Sequence, residues 1–270
     1  MKPTTGIEYF ERASMIVEKN ESVLFRGTKN FDLVSILLKR RANMHTLPFV
    51  QAAYSSYKQV LQSNDIRLGF AAYHMAVLAL TDGHHEGAIE YLNESLVAFA
   101  SDEEKVGDLE RTVRTLLVDS LERSGNSEDA TEHCLAIGKR QEWRTPPRPL
   151  YMVPPTLDKS LAEETPSGRV ILNFTVDEQG FVRSPRVSSS TAPGLNEAVL
   201  AVVGQFRYAP RFEEGTPVAT SNVNFIVNYD FVDKPSPGEK NKFSMPPAKG
   251  SKGGGTGSGA RDFGSFSGGK

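Results

Sequence analysis

Residues 221–231 read Ser-Asn-Val-Asn-Phe-Ile-Val-Asn-Tyr-Asp-Phe, and apolar and polar side chains alternate along almost the whole stretch. Successive side chains of a β-strand point to opposite faces, so this alternation predicts a strand with one buried face. The buried set would occupy every second position: Val223, Phe225, Val227, Tyr229 and Phe231. We expect this strand to close a small sheet, because a lone strand cannot bury such a face.

A strand-turn-strand pattern precedes it. Residues 169–176 predict a strand whose inward side chains are Val170, Leu172, Phe174 and Val176. Asp177-Glu178-Gln179-Gly180 predicts a hairpin turn, with glycine where a positive φ is needed. Residues 181–188 predict the returning strand, and Pro185 within it has no N–H, so we expect an edge position or an irregular ladder there.

A helix is predicted between this hairpin and the last strand. Its apolar residues recur with the spacing of one helix face: Leu195, Ala198, Val199, Val202, Val203 and Phe206. Tyr208-Ala209-Pro210 should end the helix, and residues 213–217 predict a turn. The whole pattern favours a small α+β module with a three-stranded antiparallel sheet and one packed helix.

The first half of the chain has a helical period instead. We predict seven helices, near residues 7–20, 31–44, 48–62, 67–81, 85–99, 106–124 and 127–140. A weak repeat is visible, because Gly83 and Gly125 are followed at equal offsets by similar residues: Ala88, Leu92 and Ser95, then Ala130, Cys134 and Ile137. Ala53, Tyr57 and Val60 fit an earlier copy. A small residue at each helix crossing is typical of the tetratricopeptide repeat, which this pattern resembles. The alanines Ala53, Ala88 and Ala130 are 35 and then 42 residues apart, so the spacing is not uniform. The alternative is a helical bundle without repeats.

Composition shifts mark the predicted domain boundaries. Residues 143–155 are rich in proline, which blocks helices and favours extended structure, so this segment predicts a linker. Residues after 232 are rich in Gly, Pro, Ser and Lys and predict a disordered tail. The expected organisation is a helical domain at 1–142, a linker at 143–156, the module at 157–232 and the tail at 233–270.

Charge and cysteine content exclude some functional classes. The net charge of −2 does not indicate a basic nucleic-acid binder, and it leaves a local basic patch open. Cys134 is the only cysteine, so no internal disulfide can form, and its apolar helical setting predicts a buried structural thiol. Residues 1–6 contain no apolar segment, and we expect neither a signal peptide nor a membrane-spanning helix in the chain.

No catalytic or metal-binding pattern is present in the sequence. His84 and His85 are adjacent, and two neighbouring helical residues do not share a face, so they do not predict a metal site. Residues 188–190 are three serines without the context of a nucleophile, and Lys252 with residues 253–255 lacks the strand and helix of a phosphate-binding loop. We therefore predict no enzyme activity, no cofactor and no metal.

The module carries a family resemblance in the order of its short motifs. These are a proline-rich lead-in, then Gly168-Arg169-Val170, Phe174-Thr175-Val176-Asp177, Gly180-Phe181-Val182, the apolar helix, Phe206-Arg207-Tyr208-Ala209-Pro210, Gly215-Thr216-Pro217-Val218 and the alternating strand. This order resembles the C-terminal domain of TonB-type energy transducers over about residues 148–232. Such proteins connect a proton-driven inner-membrane motor to outer-membrane receptors for siderophores, cobalamin and similar cargo.

The resemblance implies a periplasmic protein that binds the TonB box, a short extended segment of an outer-membrane receptor. Edge strands offer unpaired N–H and C=O groups, which an added peptide strand can satisfy. The implied contact residues on the last strand are Ser221, Val223, Asn224, Phe225, Ile226, Val227, Asn228 and Tyr229. Val153 and Pro154 stand near the position of a Tyr-Pro pair that approaches the receptor in the family.

Two other functions stay open at this level. The helical domain could be a protein-protein interaction scaffold, with the module forming a homodimer through its edge strand. The chain could instead be a cytoplasmic adaptor, which follows from the predicted absence of an export signal. Inner-membrane motor proteins are a further candidate partner, and nucleic acid is not expected.

Overall fold

A computed structural model describes residues 6–20, 22–39, 45–100, 103–140, 147–156 and 167–230. The chain divides into two compact units, Met1–His133 and Cys134–Lys270. The predicted domain boundaries at 142, 156 and 232 lie in or beside ranges outside the described residues, so they stay predictions. The predicted disordered tail also lies outside the described residues.

The first unit is helical, as predicted. Its helices are α1 (Gly6–Val17), α2 (Val23–Lys39), α3 (Leu47–Val60), α4 (Ile66–Thr81), α5 (His85–Phe99) and α6 (Glu103–Arg123). The next helix, α7 (Ser127–Arg140), contains the boundary between the two units. Successive helices pack as hairpins, with α2 on α3 and α4 on α5, and α6 packs on α5. The buried cores consist of Val, Leu, Ala and aromatic side chains between these helices.

The predicted start of the second helix, at residue 31, is wrong because α2 begins eight residues earlier. Gly27 is a packing residue inside α2, where a Cβ would lie 2.7 Å from Cδ1 of Tyr57. A start signal was present in the sequence, since the Phe25 N–H donates to Oγ of Ser22 at 3.3 Å. The part of the predicted helix beyond Lys39 lies outside the described residues.

Helix contacts define a repeat of 42 residues. Gly27 packs on Ser56 and Tyr57, and Gly69, 42 residues later, packs on Ala98 and Phe99 in the same way. Both glycines let an aromatic side chain of the following helix approach the backbone. In this register the buried positions equivalent to Ala88 are Thr46 and Ala130. Ala53, which was predicted to belong to an earlier copy, is also fully buried, but it lies 35 residues before Ala88 and not 42.

His74 makes the stability of the helical unit depend on pH. Its ring lies between Phe31 and Tyr73, with ring centroids 5.7 Å and 5.4 Å away. Burial lowers the pKa of His74 to about 4, so the folded chain holds the imidazole neutral where the unfolded chain would protonate it. Stability from this group is therefore complete above the unfolded pKa of about 6.5 and is lost as the pH falls towards 4.

We expect His74→Phe to remove part of this dependence. Between pH 7 and pH 5 the wild-type unit should lose about 2 kcal/mol more stability than the variant. Urea unfolding followed by circular dichroism at both pH values measures the difference. His133, whose pKa burial also lowers to about 4, should keep a second pH-dependent loss in the variant. Equal losses in the two proteins would contradict the assignment to His74.

The second unit contains the predicted α+β module. Its elements are β1 (Ser167–Val176), β2 (Val182–Ser190), a short 3-10 turn (Pro193–Leu195), α8 (Asn196–Val203), β3 (Arg211–Glu213), β4 (Thr216–Val218) and β5 (Thr220–Asp230). β1 lies in the centre of an antiparallel sheet with the order β2-β1-β5. The three-stranded sheet and its helix are confirmed. Strands β3 and β4 form a separate two-stranded ribbon around the predicted turn.

The core of the module covers one face of the sheet. The predicted inward residues of β1 are all buried: Val170, Leu172, Phe174 and Val176. On β5, Val223, Val227 and Tyr229 are buried and Phe225 is partly buried, while Phe231 lies outside the described residues. The helix ends at Val203, three residues before the predicted Phe206. Phe206 is nevertheless buried, with its ring centroid 5.4 Å from that of Phe225.

The β1–β2 turn has the predicted glycine conformation. Gly180 has φ +87°, and a Cβ there would lie 2.1 Å from the carbonyl oxygen of Tyr208. The Asp177 carboxylate accepts hydrogen bonds from the N–H groups of Gln179 and Phe181, at 3.0 Å and 2.8 Å. The Gly180 N–H also donates to the Asp177 carbonyl oxygen at 3.0 Å. Only glycine fits this position, because it tolerates the positive φ and has no Cβ to clash with the Tyr208 carbonyl.

The later half of the proline-rich segment belongs to the module. The Leu150 N–H donates to the Arg207 carbonyl at 2.7 Å, and the Arg207 N–H donates to the Tyr151 carbonyl at 3.1 Å. Arg207 also forms a bridge to Phe181, so one residue joins the lead-in segment to the start of β2. Met152 packs against the module core. The segment was predicted as a linker, and these bonds attach Leu150 and Tyr151 to the sheet end that carries the β1–β2 turn.

Candidate functional site: an open sheet edge

The two edges of the sheet differ in their capacity to add a strand. At the β2 edge, Pro185 has no N–H, Ser184 has φ +49°, and the pairing with β1 shifts register twice. Prolines, irregular residues and bulges are the features by which proteins protect an edge from further pairing. The predicted irregular edge at Pro185 is confirmed, and the β2 edge is a poor template for another strand.

The β5 edge is regular over most of its length. Its pairing with β1 runs without interruption from Val223, opposite Phe174, to Asp230, opposite Ser167. One bulge precedes this range, because Ser221 and Asn222 oppose a single β1 residue and Asn222 has φ +59°. Among the strands that the structure describes, none pairs with the other side of β5, so a regular template of eight residues runs from Val223 to Asp230.

Hydrogen bonds at Arg169 show which β5 groups face outward. The Arg169 N–H donates to Oγ1 of Thr191 at 2.9 Å, and its carbonyl accepts from the Thr191 N–H at 2.9 Å, so both groups point away from β5. Backbone direction alternates along a strand, and Val170 therefore directs its N–H and C=O towards its β5 partner, Val227. By the same alternation, the outward groups belong to Asn224, Ile226 and Asn228.

The predicted contact residues thus fall into distinct sets. Val223, Phe225, Val227 and Tyr229 direct their side chains to the core and their backbone groups to β1. Asn224, Ile226 and Asn228 direct their backbone groups to the open edge, and Ser221 lies in the bulge. Val153 and Pro154 lie elsewhere, directly after the bridge between Tyr151 and Arg207. The geometry therefore does not bring all ten predicted residues together.

Sequence reasoning missed the polar face of the sheet opposite the core. Nη2 of Arg186 donates to Oδ1 of Asn173 at 2.9 Å, and Nδ2 of Asn173 donates to Oδ1 of Asn224 at 3.0 Å. Nε of Arg169 donates to Oδ1 of Asn228 at 3.0 Å. The polar half of each alternating strand was the available signal, but only Asn224 and Asn228 of these residues were named as contact residues of the last strand.

Tyr229 packs across β1 near the C-terminal end of β5. Burial raises the pKa of Tyr229, so its hydroxyl is neutral at any physiological pH. Its ring lies over Gly168, where a Cβ would come within 2.3 Å of the hydroxyl oxygen. Gly168 is thus the residue that lets Tyr229 pack flat across β1.

The described residues show no grouped metal-binding side chains. Among the side chains that the structure describes, no three His, Cys, Asp or Glu residues are grouped to hold a metal ion. The described helices include none that is both long and apolar enough to cross a membrane. Cys134 is buried. What the module does offer is a backbone edge and the polar face beside it, an arrangement that suits peptide binding by strand addition.

A small α+β module with one irregular edge and one regular edge is the class of fold that the described residues 167–230 form. Residues 155–231 match the family described as Gram-negative bacterial TonB protein C-terminal. This match points to TonB-type transport in general, to outer-membrane receptors as the general class of partner, and to the bacterial envelope as the location. The domain is of a non-enzymatic, transport-associated type.

Comparison with solved structures includes a Podosopora anserina protein described as kinesin light chain nearly identical TPR-like repeats. It has 14% sequence identity and a TM-score of 0.42, covering 52% of this chain and 68% of that one. A search of curated proteins found no match.

Proposed function

We propose that the protein acts in TonB-dependent transport by binding an extended receptor segment along β5. The added strand would pair with the outward N–H and C=O groups of Asn224, Ile226 and Asn228. The observation that carries this proposal is the regular ladder from Val223 to Asp230, beside a β2 edge that its proline and bulges protect. Binding of this kind needs no catalytic group, because the ligand supplies only backbone partners and side chains.

The proposal extends to the setting of the protein. It would work in the periplasm, next to receptors for siderophores or similar cargo. The helical unit would bring the module to further proteins, inner-membrane motor components among them. Helical hairpins that stack in a repeat present extended surfaces to partners, which suits an adaptor.

A peptide titration tests the docking proposal. A synthetic TonB-box peptide is added to the 15N-labelled chain, and amide shifts are followed by NMR. We expect the largest shifts at the outward amides of Asn224, Ile226 and Asn228, and smaller shifts at Phe225 and Val227, whose N–H groups already pair with β1. Shifts confined to β2, or no shifts in the module, would contradict docking at β5.

Self-association is the main competing use of the same edge. Two copies could pair β5 with β5, and a regular open edge equally permits this. Light scattering on the chain with and without the peptide separates the two uses. A monomer that binds the peptide supports receptor docking, whereas a tight dimer that the peptide does not dissociate supports the scaffold function.

A further inference from the structure

We infer that the strand docked on β5 carries acidic side chains four residues apart, and that a cationic polar face of the sheet selects them. This inference rests on the proposed docking at β5 and specifies the chemistry of its partner. The face lies opposite the core and contains Arg169, Asn173, Arg186, Asn224 and Asn228. We call the two hydrogen-bonded chains on it the Arg186 relay and the Arg169 relay.

The direction of both relays follows from donor chemistry. A guanidinium can only donate, so Asn173 must present its Oδ1 to Arg186, at 2.9 Å. Its Nδ2 is then left to donate, and Asn224 receives that bond on Oδ1 at 3.0 Å. The carboxamide of Asn224 is thereby oriented with its Nδ2 as the free end, a donor beside the open edge.

The Arg169 relay has the same direction and is one step shorter. Nε of Arg169 donates to Oδ1 of Asn228 at 3.0 Å, which leaves Nδ2 of Asn228 as a second donor at the edge. Both relays thus start at a positive charge and end in an amide N–H2 group on β5. Chains of hydrogen bonds polarise one another, so each terminal donor prefers a negatively charged acceptor.

Charge on this face is not balanced within the described side chains of the module. Neither Arg169 nor Arg186 forms an ion pair there, whereas Arg183 pairs with Asp177 at 2.7 Å and Arg211 pairs with Glu213 at 2.8 Å. The two relay guanidiniums contact neutral carboxamides instead. An incoming strand with carboxylates would meet two guanidiniums that no described carboxylate pairs with, which is the complementarity that steers and orients partners.

The spacing of the donors fixes a pattern for the partner. Asn224 and Asn228 are four residues apart on one face, and Ile226 lies between them, opposite Ile171 of β1. An added strand places alternate side chains on this same face. We therefore expect an acidic side chain near each asparagine and an apolar side chain near Ile226, giving the spacing acidic, any, apolar, any, acidic.

Three blocked peptides test this pattern on the full chain. The probe is Thr-Glu-Val-Val-Val-Glu-Thr, and the comparison peptides have Gln or Lys in place of both Glu residues. Binding is measured by NMR titration of the β5 amides at low salt. Since exposed ion pairs are weak, we expect the Glu peptide to bind about five-fold tighter than the Gln peptide, and the Lys peptide to bind more weakly than both.

Variants of the chain assign the preference to the relays. Arg169→Gln together with Arg186→Gln should abolish the difference between the Glu and Gln peptides. Arg183→Gln is the matched control, since it removes an equal charge from the same sheet outside the relays, and it should retain the preference. The preference should also shrink as salt screens the charges.

The outcomes distinguish this inference from the docking proposal. If all three peptides shift the β5 amides with equal affinity, docking stands and the acidic preference is wrong. If the double arginine variant still prefers the Glu peptide to the Gln peptide, the relays do not select the acidic side chains. If neither these three peptides nor a receptor TonB-box peptide shifts the β5 amides, docking at β5 is wrong. The inference about acidic side chains is then wrong as well.

Discussion

Replacing Ile226 with proline should abolish much of the peptide binding while the module stays folded. The Ile226 N–H points to the open edge, so proline removes a bond that only the docked strand would make. The proline ring also occupies the space where that strand would approach. We expect at least about ten-fold weaker binding of a TonB-box peptide, with a loss of stability of about 1 kcal/mol, typical of a substitution at a strand edge.

Val227→Pro is the matched comparison, one residue further along the strand. The Val227 N–H faces β1, opposite Val170, so proline there removes a bond inside the sheet. We expect about 3 kcal/mol of destabilisation, and loss of binding only because the sheet unfolds. The same holds for proline at Phe225. Titration calorimetry and thermal unfolding of both variants decide the matter, and equal stabilities for the two variants would contradict the assigned backbone directions.

Replacing Arg207 with alanine should destabilise the module more than any surface change. Only 1% of Arg207 is exposed, and its guanidinium carbon lies 3.7 Å from the centroid of the Phe181 ring. Its Nη2 donates to the Gln179 carbonyl at 3.1 Å, across the β1–β2 turn. Loss of the cation-π contact, the charged hydrogen bond and the buried volume should together cost about 3 kcal/mol.

Arg211→Ala is the control for this variant. Its guanidinium is partly exposed and pairs with Glu213 in the β3–β4 ribbon, and such pairs contribute at most about 1 kcal/mol. For a module of this size, the Arg207 variant should unfold about 15 °C lower than the wild type. Thermal unfolding followed through amide signals of β1 and β5 reports on this unit alone. A change no larger than that of the control would show that the lead-in segment, and not the side chain of Arg207, stabilises this end of the sheet.

Much of the fold was predictable from local patterns. The alternation at 170–176 and at 223–229 fixed which side chains are buried, and the structure confirms those on β1. Glycine at 180 and proline at 185 marked the turn and the irregular edge. The packing of Gly27 under Tyr57 inside α2 was not predictable, because a glycine that breaks a helix and a glycine that packs against a neighbouring helix look alike in sequence.

The candidate site was predictable only in part. The stretch 221–230 was selected correctly as a strand, but its residues were treated as one contact surface. Pairing with β1 divides these residues into two sets. The backbone groups of Phe225 and Val227 bond to β1, whereas those of Asn224, Ile226 and Asn228 face outward. The bulge at Asn222 shortens the usable template, and no local pattern marks it.

By itself, the sequence determined the helical first half, the strand-turn-strand-helix order of the module, and the buried face of each strand. These properties repeat with a period of a few residues, so neighbours along the chain are enough to reveal them. Only the tertiary structure decided that β5 lies at an edge, which of its backbone groups face outward, and how Arg169 contacts Asn228 and Arg186 contacts Asn173. The edge position depends on strand order, and the other two features depend on the register between distant segments, which a shift of one residue would reverse.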